Sequence, residues 1–244
     1  MESVTLVTHV LDDAIDGGLR GAHESLSLRS PSGAAVRYRP EIAPFASVGL
    51  EPSADAWAAL RALVPDGTVA LFPFPGFRTP PGGRVGGVGL AQLTDDEVDL
   101  EALPPAGRSR ALSRDDVPEM LRLTAATKPG PFEVDTIEFG GYRGIFDGDE
   151  LVAMAGRRMN PPGWTEISAV CTDPRYRGRG YARELVLDVL RGIRADGARG
   201  FLHVAHGNPA RAVYESLGFV ARRDFEVAVV RPAEPAEPDG SRPV

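Results

Sequence analysis

The sequence predicts an α/β protein of the α+β kind, and three observations predict it. Residues 113–230 alternate helical and strand periodicities in the order α-β-β-β-α-β-α-β. A glycine- and arginine-rich loop, RYRGRGYA, joins one of those strands to an amphipathic helix. The first hundred residues carry a weaker mixture of helical and extended runs broken by glycine. A length of 244 residues suffices for one large domain or two small ones with a real core. Pro104, Pro105 and Gly107 punctuate a break, which divides the chain into an N-terminal α/β domain, 1–107, and a second domain, 108–231. The Pro- and Glu-rich tail, 232–244, is expected to be disordered.

The elements follow in order. LDDAIDGGLRGAHESL has helical spacing with a centre weakened by glycine, and SADAWAALRALV is a better helix, capped by Ser53 or Asp55. GTVALFPF reads as a strand, and GRVGGVGLAQL as a glycine-rich one. The pattern Gly83-x-x-Gly86-x-x-Gly89 has neither the spacing nor the following helix of a dinucleotide fingerprint. A helix over 115–127 carries Pro118 in its first turns and Ser113 as its cap. Asp147-Gly148-Asp149 between apolar runs predicts a hairpin of strands 141–146 and 150–159. GWTEISAVCT is a third strand. Strict alternation places Trp164, Glu166, Ser168 and Val170 on one face and Thr165, Ile167, Ala169 and Cys171 on the other. Ala182, Leu185, Val186, Val189, Leu190 and Ile193 recur at helical intervals, with Gly197 to end the run. A strand, GFLHVAHG, a short helix, PARAVYESLGF, and a closing strand, DFEVAVV, complete the chain.

Composition narrows the function. A net charge of -7 excludes a general nucleic-acid binder, which needs a basic footprint. Cys171 is the only cysteine, so no intrachain disulfide forms and a reducing compartment is expected. The acidic N-terminus does not resemble a signal peptide, and no apolar run approaches the roughly 18 residues of a membrane span. The expectation is a cytoplasmic protein that meets neither nucleic acid nor membrane. His203 and His206 have no accompanying ligand set, so strand packing explains them better than a metal.

Arg175, Arg177, Arg179 and Arg183 crowd the mouth of the long helix. Helix N-terminal amides lack intrahelical partners and face the positive end of the dipole. Gly178 and Gly180 let the backbone approach an anion closely. Two adjacent phosphates, a pyrophosphate, suit such a loop, although neither a P-loop nor a dinucleotide fingerprint is present.

The run AVCTDPRYRGRGYARELV, followed by NPARAVYESLGF, resembles the GNAT superfamily of acyl-CoA-dependent N-acyltransferases. Arg177, Gly180 and Ala182 match its [R/Q]-x-x-G-x-[G/A] signature, and Tyr214–Phe219 match a second one, over roughly 113–230. EISAVCTDP and LVAMAGRRM are most similar to the branch of glycine N-acyltransferase-like proteins. The resemblance implies a mixed central sheet with flanking helices and an N-terminal half that is a degenerate copy of the same fold. It also implies acetyl-CoA in a cleft between two splayed parallel strands. There Val170, Cys171 and Thr172 would pair with the pantetheine arm, and Arg177, Gly178, Arg179, Gly180, Tyr181, Ala182 and Arg183 would hold the pyrophosphate.

The implied reaction is direct attack by an amine on the thioester, with no metal. Glu166 is the candidate base, directly or through water; the blander alternative is a solvated residue or one paired with an arginine. Tyr214 is the candidate acid for the leaving thiolate, against a plain core aromatic. The family's asparagine lies seven residues before this tyrosine, whereas Asn208 lies six before it and Gly207 takes the seventh place. A covalent role for Cys171 is disfavoured, because buried strand cysteines are common. The acceptor is expected to be a small amine or amino acid. A protein N-terminus or lysine, and a non-catalytic acyl-CoA sensor, remain open, as does a dimerising or regulatory role for the N-terminal half.

Overall fold

A computed structural model describes residues 9–72, 83–103 and 107–232. The chain enters through a 3-10 turn, Val10–Asp13, and helix α1 (Ala14–Leu19), which Asp13 caps by accepting from the Asp16 amide. Strands β1 (Ser27–Arg29), β2 (Val36–Tyr38) and β3 (Ala46–Ser47) form a small antiparallel sheet. At two or three residues each they are too short to show a period. Helix α2 (Ala54–Leu63) begins where the Ser53 hydroxyl accepts from Ala56. Strand β4 (Val69–Leu71) fills the centre of the expected GTVALFPF strand, of which Pro73 and Phe74 lie outside the described residues. Strand β5 (Arg84–Thr94) is the glycine-rich one.

After β6 (Arg110–Ala111) come helix α3 (Val117–Thr127) and the hairpin of β7 (Arg143–Asp147) and β8 (Glu150–Arg157). Its turn holds Gly148 at φ 61, a conformation that strains any residue with a Cβ. Then follow β9 (Trp164–Thr172), α4 (Tyr181–Ala195), β10 (Arg199–Ala205), α5 (Ala210–Ser216) and β11 (Val220–Val230). Among the described residues these build an eight-stranded sheet in the order β4-β11-β5-β10-β9-β8-β7-β6, mixed because β9 and β10 alone run parallel. Leu185, Val186, Val189, Leu190 and Ile193 of α4 are all buried on one face of that sheet, each worth about 1.5–3 kcal/mol. The helix stops where Gly197, at φ 78, turns its amide onto the Arg194 carbonyl.

The division expected at residue 107 needs correction. β5, from the first half, lies between β10 and β11, and β4 closes the outer edge against β11. Leu60 and Val64 of the α2 region pack with Val69, Ala228 and Val230. The two halves thus share a sheet and a core. Pro104 and Pro105 of the expected break lie outside the described residues, as does the tail expected to be disordered, beyond Pro232.

Candidate active site

Strands β9 and β10 pair from Trp164↔Arg199 as far as Ile167↔Leu202 and then part. Beyond the last pair, β9 takes an extra residue: Ser168 and Cys171 on it face Gly156 and Met154 on β8, three steps against two. Ala169 sits at φ 52 to allow this bulge. The extra residue reverses the alternation, so the faces expected for the end of β9 are corrected. Ala169 and Cys171 join Trp164 in one cluster, while Val170 packs against the cluster of Ile167. The result is a fork, open between the two strands, with the mouth of α4 beside it.

That mouth is uncapped and open. Gly180, at φ 78, is the N-cap of α4, and no side chain caps the helix there. A Cβ added at Gly178 or Gly180 would meet nothing within 4 Å, so the space before the loop is open. Arg175 is spent in ion pairs with Asp173 and Glu150. Among the described residues Arg177, Arg179 and Arg183 join no ion pair; Arg177 reaches the Thr172 carbonyl, and Arg179 lies over the Tyr176 ring at 4.8 Å. Tyr181 and Ala182 are half-buried in the first turn. The Thr172 hydroxyl is buried with no hydrogen-bond partner, an orphan polar atom at the lip of the fork. These features fit a diphosphate-bearing ligand whose arm lies along β9.

The titratable groups divide into two sets. Tyr214 is 6 % exposed; burial pushes its phenol up to about 12, and the Cys171 thiol adds to this. Burial pushes Cys171 itself to about 11, against a hydrogen bond from Thr127. Glu166 lies on the other side of the fork's vertex and is fully buried. Burial would raise its pKa, but Arg158 and then His203 outweigh that and hold it at about 2. Arg158 grips both carboxylate oxygens, through Nε at 2.8 Å and Nη2 at 2.6 Å, and His203 Nδ1 lies 2.7 Å from Oε1. Asn208 accepts from the Ala210 amide through Oδ1 at 2.9 Å and so helps start α5, while Gly207 turns at φ 78. The Cys171 thiol is near enough to raise the Tyr214 phenol, whereas the hydrogen bonds of Glu166 go to Arg158, His203 and the Met159 amide. Among the described residues no group of three or more His, Cys, Asp or Glu is placed to hold a metal ion.

A solved GNAT-family acetyltransferase from Novosphingobium aromaticivorans is 34% identical, with a TM-score of 0.79, over 91% of this chain and 98% of that one. The chain belongs to the GNAT family. Residues 142–228 of this GNAT chain match the family model described as FR47-like protein. Curated relatives named mycothiol acetyltransferase, from two strains of Corynebacterium glutamicum, are 43% and 42% identical over 85 residues, 34% of this chain. The match spans 29% of the length of those relatives.

For this GNAT member, sequence reasoning missed Arg158 and read His203 as packing. The available signal was an acidic residue in the middle of an apolar strand, which must find a counter-charge if it is buried. Arg158, eight residues earlier and across the β8–β9 turn, was the nearest candidate. The partnership with His203 lay beyond reach, because it depends on the parallel pairing of β9 and β10.

Proposed function

We propose that this chain is an N-acetyltransferase that moves an acetyl group from acetyl-CoA to the primary amine of a small molecule or amino acid. The observation that carries this is the fork of β9 and β10 with the uncapped, arginine-flanked start of α4 beside it. The amides and arginines of Arg177–Arg183 take the pyrophosphate, and the free edge of β9 at Val170, Cys171 and Thr172 takes the pantetheine arm. Asn208 contributes through its side-chain amide nitrogen, its Oδ1 being engaged by the Ala210 amide. The name of the Corynebacterium relatives supports acetyl as the group moved, and the likeness of EISAVCTDP to glycine N-acyltransferase-like proteins supports a small acceptor.

The amine nitrogen bonds to the thioester carbon, the carbon–sulfur bond breaks, the nitrogen loses a proton and the sulfur gains one. Tyr214 supplies the sulfur's proton. Burial raises the phenol to about 12, and a leaving thiolate shielded from water in the fork would be raised in the same direction, which favours the hand-over. Glu166, expected as the base, is badly suited to take the nitrogen's proton. An ordinary carboxylate already lies ~6 units below an alkylammonium, and Arg158 holds Glu166 lower still. The amine therefore reacts from its neutral fraction and releases its proton to water. Glu166 serves as a buried anchor.

The test is calorimetry with CoA and acetyl-CoA, joined to a screen of amines that follows free thiol. Uptake of CoA that weakens in Arg179→Glu, together with thiol release on adding one amine class, is the expected result. The rate should climb with pH towards the amine's own pKa. Tyr214→Phe should lower kcat by ~10²-fold while leaving acetyl-CoA affinity intact. No heat with either nucleotide would end the proposal, and binding without release for any amine would leave a sensor.

A further inference from the structure

One row of polar side chains crosses the sheet beneath the fork, one from each of the four neighbouring strands β11, β5, β10 and β9, with Arg158 just past β8 at its end. Arg222 of β11 donates through Nη1 to Gln92 Oε1 on β5 at 2.6 Å. Gln92 Nε2 lies 3.0 Å from His203 Nε2 on β10. His203 Nδ1 meets Glu166 on β9, and Arg158, just past β8, ends the row. Gln92 Nε2 also donates to the Leu11 carbonyl, at 3.1 Å, and at the β11 end of the row Arg222 and Arg223 both hold Asp12.

The donors and acceptors fit in one way only. Arg222 can only donate, so the oxygen of Gln92 faces it and the Gln92 amide hydrogens face Leu11 and His203. His203 Nε2 therefore accepts, its Nδ1 carries the proton, and the ring is neutral. Glu166 and Gln92 are 0 % and 1 % exposed. Apolar side chains of similar volume would stabilise such a sheet at least as well. What apolar side chains would not do is set a distance between β9 and β10. The last backbone pair is Ile167↔Leu202, and Glu166 and His203 flank it diagonally. Their bond spans the vertex where backbone pairing ends.

We propose that His203 and Gln92 are positioning residues of acyl transfer, fixing the opening of the β9–β10 fork and tying it to the N-terminal segment at Leu11 and Asp12. This rests on the acyl-CoA reading of the fork. Neither residue touches the reacting atoms. They set how wide a space lies beside β9, and so which acyl chains fit there, because small displacements of a reacting group are costly.

The test uses the full chain and measures dissociation constants for CoA, acetyl-CoA and butyryl-CoA, with thermal unfolding alongside. His203→Leu removes both bonds. His203→Asn returns an N–H donor to Glu166. Gln92→Leu cuts the tie to Leu11 and Arg222 and keeps the bond at the vertex. Expected for His203→Leu is a change of ~10-fold, or ~1.4 kcal/mol, in the acetyl-to-butyryl preference, with affinity for CoA itself held within ~3-fold. His203→Asn should return most of that preference, and Gln92→Leu should move it the same way by a smaller factor. An unchanged preference in His203→Leu and Gln92→Leu, with only a lower Tm, would make the row a structural device and overturn the inference. Should His203→Leu not fold, Gln92→Leu decides alone. If the unaltered chain takes up no CoA, the acyl-CoA reading fails, and the inference falls with it.

Discussion

Replacing Glu166 with glutamine strands the Arg158 guanidinium inside the molecule without its counter-charge. Removing one partner of a buried pair costs ~3–5 kcal/mol, so Glu166→Gln should unfold at markedly lower urea, while Arg158→Met with Glu166→Leu should lose much less. Acid should destabilise this cluster and the separately buried His23. The pKa of His203 is lowered by burial, that of His23 is brought to about 4 by burial, and Glu166 is held at about 2. In each case the unfolded chain binds protons more readily than the folded one, so stability falls as pH falls. The loss should begin as pH drops through ~6.5, where unfolded histidine titrates, and steepen from about 4.5 towards 2 as Glu166 is reached. Urea midpoints of the unaltered chain and of His203→Leu, measured from pH 8 to 3, check this; Asp13, raised to about 6 by burial, acts in the opposite sense, so the difference between the two profiles is what must change between 7 and 5, and an unchanged difference would contradict the neutral, buried His203. Pairing of Glu166 with an arginine was one of the alternatives open in the sequence, but neither its depth of burial nor its bond to His203 was legible there. Its burial and partners are set by three strands meeting.

Local chemistry made the loop and α4 legible at the scale of the element. Glycines at 178 and 180, arginines around them and a helical stripe behind are properties of neighbouring residues, and the structure shows Gly180 as the N-cap. The bulge in β9 was not legible, because alanine at φ 52 leaves no mark in a pattern of alternation. The face of Cys171 was therefore assigned wrongly. The two ends of α4 offer a matched experiment. Gly180 and Gly197 both sit at φ 78, and a Cβ at either meets nothing within 4 Å. Either glycine→alanine change should thus cost about the same stability, ~1–2 kcal/mol of left-handed strain. Only Gly180→Ala should also weaken CoA binding, by ~10-fold, because its Cβ enters the space before the free amides. Equal effects of both changes on CoA binding would argue against the loop as the anion site.

The whole molecule depends on a strand that the sequence placed in a separate domain. Strand spacing told that GRVGGVGLAQL is extended but not where it pairs, since pairing over such a span leaves no local trace. A fragment of residues 108–231 lacks β5, and its β10 and β11 have no strand between them. It should be insoluble or aggregate through its open edges. Supplying residues 1–107 on a separate chain should recover a soluble complex, and gel filtration of the co-expressed pieces checks this. A monomeric, cooperatively folding 108–231 would show that the inserted strand is dispensable.

The same insertion has a consequence during synthesis. β5 ends at Thr94, while β11 begins at Val220. At ~5–20 residues per second the ribosome needs several seconds to some tens of seconds to make the missing partner. Throughout that time the nascent Val85 and Val88 segment has nothing of its own chain to pair with. Holding chaperones should find that stretch early, and slowing translation downstream of it should lower the yield of native enzyme rather than raise it.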